Sequence, residues 1–158
     1  MLYSALKVLH LLAIVVWVGG MVFAHFFLRP AVATLQPDAR VKLMHAVLGR
    51  FFGAVMWAAG LTLVTGIWMI GRVAKELVQS GGHFSMPLEW TVMATLGILM
   101  MLIFGHIRFV LYKRLDRAVT AANWPAGAGA LGQIRQWVVV NLAIGVGIVL
   151  VLRMGLSF

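Results

Sequence analysis

The sequence predicts an all-α integral membrane protein. Residues 1–158 form a single antiparallel bundle of four transmembrane helices with both termini in the periplasm. Three observations carry this. Four apolar stretches, roughly residues 6–28, 51–70, 88–111 and 137–152, fill the chain, each near the ~20 residues that a helix needs to cross ~30 Å of hydrocarbon. Hydrophobic residues make up 63% of the chain, charged residues 11%, and mean hydropathy is +1.01, whereas a soluble domain is about a quarter charged. Finally, Arg29, Arg40, Lys42, Arg50, Arg108, Lys113, Arg114, Arg117 and Arg135 fall on loops 1–2 and 3–4, against Lys7, Arg72, Lys75 and Arg153 on the other side. Basic residues favour the cytoplasmic side, which puts the termini outside the cytoplasm and, in a bacterium, the bundle in the inner membrane.

The elements follow in order. In the first span, Lys7 precedes an apolar run that continues through Trp17, Phe23 and Phe27 without a small-x-small cleavage pattern, so it reads as a retained span and not as a signal peptide. Loop 1–2, from Arg29-Pro30 to about Gly49, holds the turn signal Gln36-Pro37-Asp38. Asp38 is expected to N-cap a turn that leads through His45 into the second span. Loop 2–3 contains Ser80-Gly81-Gly82-His83, and Pro87 suits the first turn of the third span. Loop 3–4 begins as a charged helical extension, Tyr112–Ala122, and is expected to break at Trp124-Pro125 and through Gly127–Gly132. Trp124 and Trp137 read as interfacial anchors. Loops this short give an up-down bundle.

Composition also excludes chemistries. There are no cysteines, which removes disulfides, thiolate metal sites and iron–sulfur clusters. The net charge of +9 would point to nucleic acid in a soluble protein; here it sits at helix ends and reads as topology. There is no phosphate loop, no HExxH and no serine elbow, and Glu76 and Glu89 both lie close to an interface.

An imidazole in lipid is costly unless it is paired, faces the bundle interior or binds something. His25 lies near the end of the first span and His106 near the end of the third, at similar depth on two parallel helices that an up-down bundle sets diagonally across its core. Two facing imidazoles could hold the iron of a haem. Arg29, Arg50, Arg108 and Arg135 cluster at that end, where guanidinium suits haem propionates, and Asn141 reaches the same layer and could orient an imidazole. The plainer account gives each histidine a carbonyl partner and leaves the arginines as positive-inside residues. His10 lies 15 residues before His25, about 22 Å along the helix and only about 60° around it, with Trp17 and Met21 on the stripe between. It could serve a second haem, take part in quinol chemistry or bond a carbonyl. Met69, Met86 and Met154 are its candidate thioether neighbours. His45 and His83 read as surface histidines.

Ten methionines suggest Cu(I), which thioethers suit, but they are spread over all four spans and read first as packing. Gly60, Gly66, Gly97, Gly145 and Gly147 read as close-approach positions between helices.

The segments LKVLHLLAIVVWVGGMVFAHFFLRPA (6–31), GRFFGAVMWAAGLTLVTGIWM (49–69), LGILMMLIFGHIRFVLYKRL (96–115) and IRQWVVVNLAIGVGIVLVLRMG (134–155) resemble the copper-resistance protein D (CopD)-like membrane family. The opening block, with FAHF and LRPA, is the most specific part. The pattern around His10, Trp17 and Gly20 is also similar to HemJ, a protoporphyrinogen oxidase type that carries haem b; that likeness implies His10 as a functional histidine with His106 as its counterpart. The resulting expectation is a haem b-binding membrane oxidoreductase with a bis-His site on His25 and His106. It would pass electrons between a quinone or small oxidant and a redox partner protein within the lipid bilayer, without nucleic acid. The alternatives are copper transport or resistance of the CopD type, a HemJ-like oxidase, and a structural subunit whose histidines are only packed. Haem number, electron donor and acceptor, and oligomeric state stay open.

Overall fold

In the computed structural model the backbone is described for residues 1–154 and the side chains for residues 1–152. Four long helices, each long and apolar enough to cross a membrane, follow one another: α1 Leu2–Val32, α2 Pro37–Gln79, α3 Leu88–Thr120 and α4 Trp124–Met154. The protein is thus an all-α, multi-pass membrane protein, and no strand occurs among the described residues. Large apolar side chains such as Trp57, Ile67, Phe27 and Leu102 face outward, as lipid-facing positions must.

The helices are longer than the apolar stretches that announce them. At ~1.5 Å per residue, the 43 residues of α2 extend about 65 Å, roughly twice the hydrocarbon thickness. Residues 71–79 extend the end on the side of the termini, and most of the excess, residues 37–50, lies at the opposite end. There, the segments expected as loop 1–2 and loop 3–4 are helical and packed: Val41, Met44, Leu48, Leu115, Ala130, Leu131 and Ile134 are all buried in one continuous core with the membrane-embedded part.

Two sequence expectations are corrected here. Gly127–Gly132 does not break the chain; it lies inside α4. Trp124-Pro125 likewise opens that helix, and the break comes before it, at Ala121–Asn123, where Ala122 takes φ 50° and Asn123 Oδ1 accepts a hydrogen bond from the Ala126 amide at 3.1 Å. Asn123 thereby caps α4, and Pro125, in its first turn, gives up an amide that has no helical partner anyway. Gly127 serves packing, since a Cβ there would stand 2.8 Å from Val41 Cγ1. The second correction concerns Asp38. Helix α2 starts at Pro37 with Gln36 in the cap position and no side-chain cap bond; Asp38 sits one turn before Lys42 and pairs with it at 3.5 Å.

At the other end of α2, Gly81 takes φ 82°, and the Gly82 amide donates to Leu77 O at 3.0 Å. This is the left-handed closure that glycine favours. Pro87 occupies the cap position of α3.

An aromatic layer ties the bundle together at mid-height. Trp17 of α1 meets Phe104 of α3 edge-on at 6.0 Å, and Phe104 meets Phe52 of α2 at 6.0 Å. Met21, one turn beyond Trp17, is buried beside them. Gly20 lets Phe51 lie directly against α1, because a Cβ at that position would overlap the Phe51 ring.

Both α1 and α3 contain a π-helical turn, Ala24–Leu28 and Ile107–Leu111. His25 lies in the first and His106 immediately precedes the second. Such turns insert one residue into the helical register and are frequent at functional sites.

Candidate functional site: two cavities along the inner face of α1

The inner face of α1 carries His10 and His25 about four turns apart, with the buried Trp17 and Met21 between them. Each histidine lines a separate cavity, and the two cavities share no residue.

The first cavity, about 350 Å³, is a cleft in the apolar part of the bundle on the side of the chain termini, with outward-facing residues such as Leu11, Ile67 and Ile98 at its rim. Its walls come from all four helices, including His10, Trp17, Thr62, Gly66, Met93, Met100, Met101 and Gly145. Almost every other lining atom is aliphatic. Thr65, on the α2 face beside it, is buried and its hydroxyl donates to Leu61 O at 2.6 Å, the back-bond that a helical threonine makes one turn down. His10 Nδ1 lies 2.9 Å from the same hydroxyl oxygen. A hydroxyl that donates to Leu61 O accepts from the imidazole, which makes Nδ1 the donor. The imidazole is then the Nδ1–H tautomer, and Nε2 keeps its lone pair. Gly66 makes room for the ring: a Cβ there would stand 3.4 Å from His10 Cε1. Thr62 Oγ1 is buried without a hydrogen-bond partner.

His10 and three methionines thus line one cavity, and imidazole and thioether are the donor types that a soft monovalent metal takes. Hard-ligand sites are a different matter. Among the described residues no group of three His, Asp or Glu side chains stands close enough to hold a metal ion. Neither Met69 nor Met86 lines this cavity, and the Met154 side chain lies outside the described residues.

The second cavity, about 520 Å³, lies at the opposite end, between α1, the start of α2 and the start of α4. Its lining includes His25, Arg29, Arg40, Met44, Leu131 and Arg135, with no acidic residue. The Arg29 guanidinium donates through Nη2 to Leu131 O at 2.7 Å, which bridges α1 to α4. His25 packs edge-on against Phe26 at 4.7 Å, and its Nδ1 is buried with no hydrogen-bond partner.

The remaining sequence candidates do not converge with these. His106 is exposed and lies against Trp137 of α4 at 5.3 Å, outside both cavities. The reason is angular. Phe104 points into the core, and two residues further is about 200° around a helix, so His106 turns to the outside. The expected clamp of His25 and His106 around one iron is therefore not formed, although the two do lie at matching places on parallel helices. Arg50 is exposed, and Arg108 lies over the Tyr112 ring at 5.1 Å. Asn141 is buried at 1% exposure with Oδ1 unpartnered, yet lines neither cavity. His45, expected as a plain surface residue, joins α2 to α3. It pairs with Asp116 at 2.8 Å, stacks on Tyr112 with ring centroids 5.2 Å apart, and its carbonyl accepts from Tyr112 Oη at 3.2 Å.

Sequence reasoning missed Thr65, Arg40 and the grouping of Met93, Met100 and Met101. The methionines carried a signal: Met93, Met100 and its neighbour recur at a seven-residue spacing, which returns to the same helix face every two turns. Thr65 could not be matched to His10 without the tilt between α1 and α2.

A family model described as Copper resistance protein D matches residues 45–154, more than half of the chain. The match takes in Thr62, Thr65 and the three methionines of the apolar cavity; His10 and the 6–31 block lie before it. No curated protein and no solved structure matches the chain.

Proposed function

From the chain's membership of the copper resistance protein D family, we propose that this multi-pass membrane protein binds Cu(I) inside the bilayer, with His10 Nε2 and thioethers of Met93, Met100 and Met101 as the ligands. The observation that carries the reading is that His10, bonded to Thr65, lines one apolar cavity together with three methionines. With the Thr65 proton on Leu61 O, the imidazole keeps Nε2 as an unprotonated donor. Imidazole and thioether are neutral ligands, and a +1 cation is the charge that such a pocket can accept with least desolvation. Copper is here the cargo that the protein handles.

The positive-inside distribution of basic residues supports a cytoplasmic basic end and a periplasmic His10 end. Copper would then reach His10 from the periplasmic half of the membrane. The Trp17–Phe104–Phe52 layer lies between this cavity and the basic one, so passage further inward requires that layer to move. A reporter fused at the C-terminus should be active only in its periplasmic format; cytoplasmic activity would reverse the assignment of the two ends.

The haem reading depended on His25 and His106 sharing one site, and each cavity contains a single histidine. One experiment separates the two readings. The purified detergent-solubilised protein is titrated anaerobically with Cu(I) against a chromogenic chelator, and its dithionite-reduced spectrum is recorded. Saturable binding of one Cu(I) per chain by a colourless protein is expected. A Soret band with split α/β bands, and no competition with the chelator, would overturn the copper reading in favour of haem.

A further inference from the structure

We infer that the 520 Å³ basic cavity is a binding site for a phosphate ester, held by Arg29, Arg40 and Arg135 with His25 at its inner wall. Three guanidinium groups and an imidazole come from three helices, α1, α2 and α4, to one concavity. No carboxylate lines it. The two acidic residues at this end are engaged elsewhere: Asp38 pairs with Lys42 and Asp116 with His45. Positive-inside topology asks only that the charges lie on this side of the membrane. It does not ask three of them to face one hollow, where their mutual repulsion is a cost unless an anion neutralises it.

One further observation points to a ligand. Arg29 is already positioned by its bond to Leu131 O through Nη2, and its other guanidinium hydrogens stay available to an oxyanion. The volume exceeds what a bare anion requires and falls in the range of sites for small organic ligands. Val32, Met44 and Leu131 give it an apolar wall for the organic part of an ester. The shared chemistry is a phosphate with a short aliphatic substituent, which either a phospholipid headgroup or a soluble phosphate ester provides.

The test uses the full chain in a neutral detergent, with thermal unfolding followed during separate titrations of phosphatidylglycerol and of glycerol 3-phosphate. Stabilisation that saturates is expected with at least one probe. Response to both assigns a soluble phosphate ester; response to phosphatidylglycerol alone assigns a lipid headgroup. Arg40→Gln and Arg135→Gln should each weaken the midpoint about tenfold, as the loss of one charge-assisted bond implies. Arg40→Lys should restore part of that loss. Arg50→Gln and Arg108→Gln remove equal charge from the same end of the bundle outside the cavity, and should leave the midpoint unchanged. The inference is overturned if neither probe stabilises the protein, or if all four Gln variants weaken binding equally, which would mark a general attraction of this end for anions. Cu(I) binding at His10 is independent of either outcome.

Discussion

The two cavities occupy opposite ends of one helix face, and each has a single histidine, yet they are built for opposite charge. Around His10 the walls are aliphatic and sulfur-bearing, and the one polar partner, Thr65, settles which ring nitrogen is free. Around His25 the walls carry three guanidinium groups, and the ring nitrogen Nδ1 has no partner at all. A cation placed in the second cavity would be repelled, and an anion placed in the first would lose its hydration among almost wholly aliphatic walls. The difference shows that an intramembrane histidine has no fixed role. What surrounds it decides between metal ligand and anion contact.

Substitutions that touch one cavity should leave the other intact, and the largest effect is expected on the metal. Replacing Met93, Met100 and Met101 together by leucine keeps the volume but removes the soft donors, and should abolish Cu(I) competition with the chelator. His25→Ala and His106→Ala should compete as the native protein does. Loss of copper in either of these would break the assignment of separate roles to the two ends.

Leu115→Ala tests the packed extension beneath the basic cavity. Leu115 is fully buried there, and truncation should cost about 2–5 kcal/mol. Thermal unfolding should shift down markedly, while the Cu(I) affinity of the protein that remains folded stays unchanged. A parallel loss of affinity would mean that the two ends are coupled.

Thr65→Val removes the hydroxyl that fixes the His10 tautomer while retaining shape. Loss of such an outer partner commonly lowers metal affinity by about 10–100-fold, and competition titration would show it. An unchanged affinity would show that the hydrogen bond between Thr65 and His10 does not prepare the ligand.

The smallest effect is expected at His45, whose pair with Asp116 lies at the water-exposed end. His45→Gln should lower stability by no more than about 1 kcal/mol, with neither cavity altered. A larger loss would assign the stack on Tyr112 a greater share of the α2–α3 contact.

The fold was legible because lipid imposes one rule on every residue. Four apolar stretches with basic ends give four spanning helices without further information. Their full lengths were not legible: the residues before Phe51 and Trp137 are polar enough to suggest loops, and only the packing of Val41, Leu115 and Ile134 against each other reveals helices that continue beyond the apolar spans. Gly127 also misled, since its helix-breaking tendency is offset by close contact with Val41.

The candidate sites were legible in part. Periodicity set His10 and His25 on one face of α1, where each lines a cavity, whereas nothing in the sequence announced the two π turns. His106 lines neither cavity, because depth along a helix says nothing of the angle around it. The arginines divided unpredictably: Arg29 and Arg135 line the basic cavity with Arg40, whereas Arg50 and Arg108 stand apart from it. Their positions depend on helix rotation, which the basic count of a loop does not encode.

The most direct test of the central claim is X-ray absorption at the copper edge of the anaerobically loaded protein, recorded for the native chain and for His10→Ala. The account predicts a first shell of one nitrogen and two or three sulfurs in the native protein, with the nitrogen lost or the copper no longer retained in the variant. A shell of nitrogen and oxygen alone, or a spectrum that His10→Ala leaves unchanged, would contradict it.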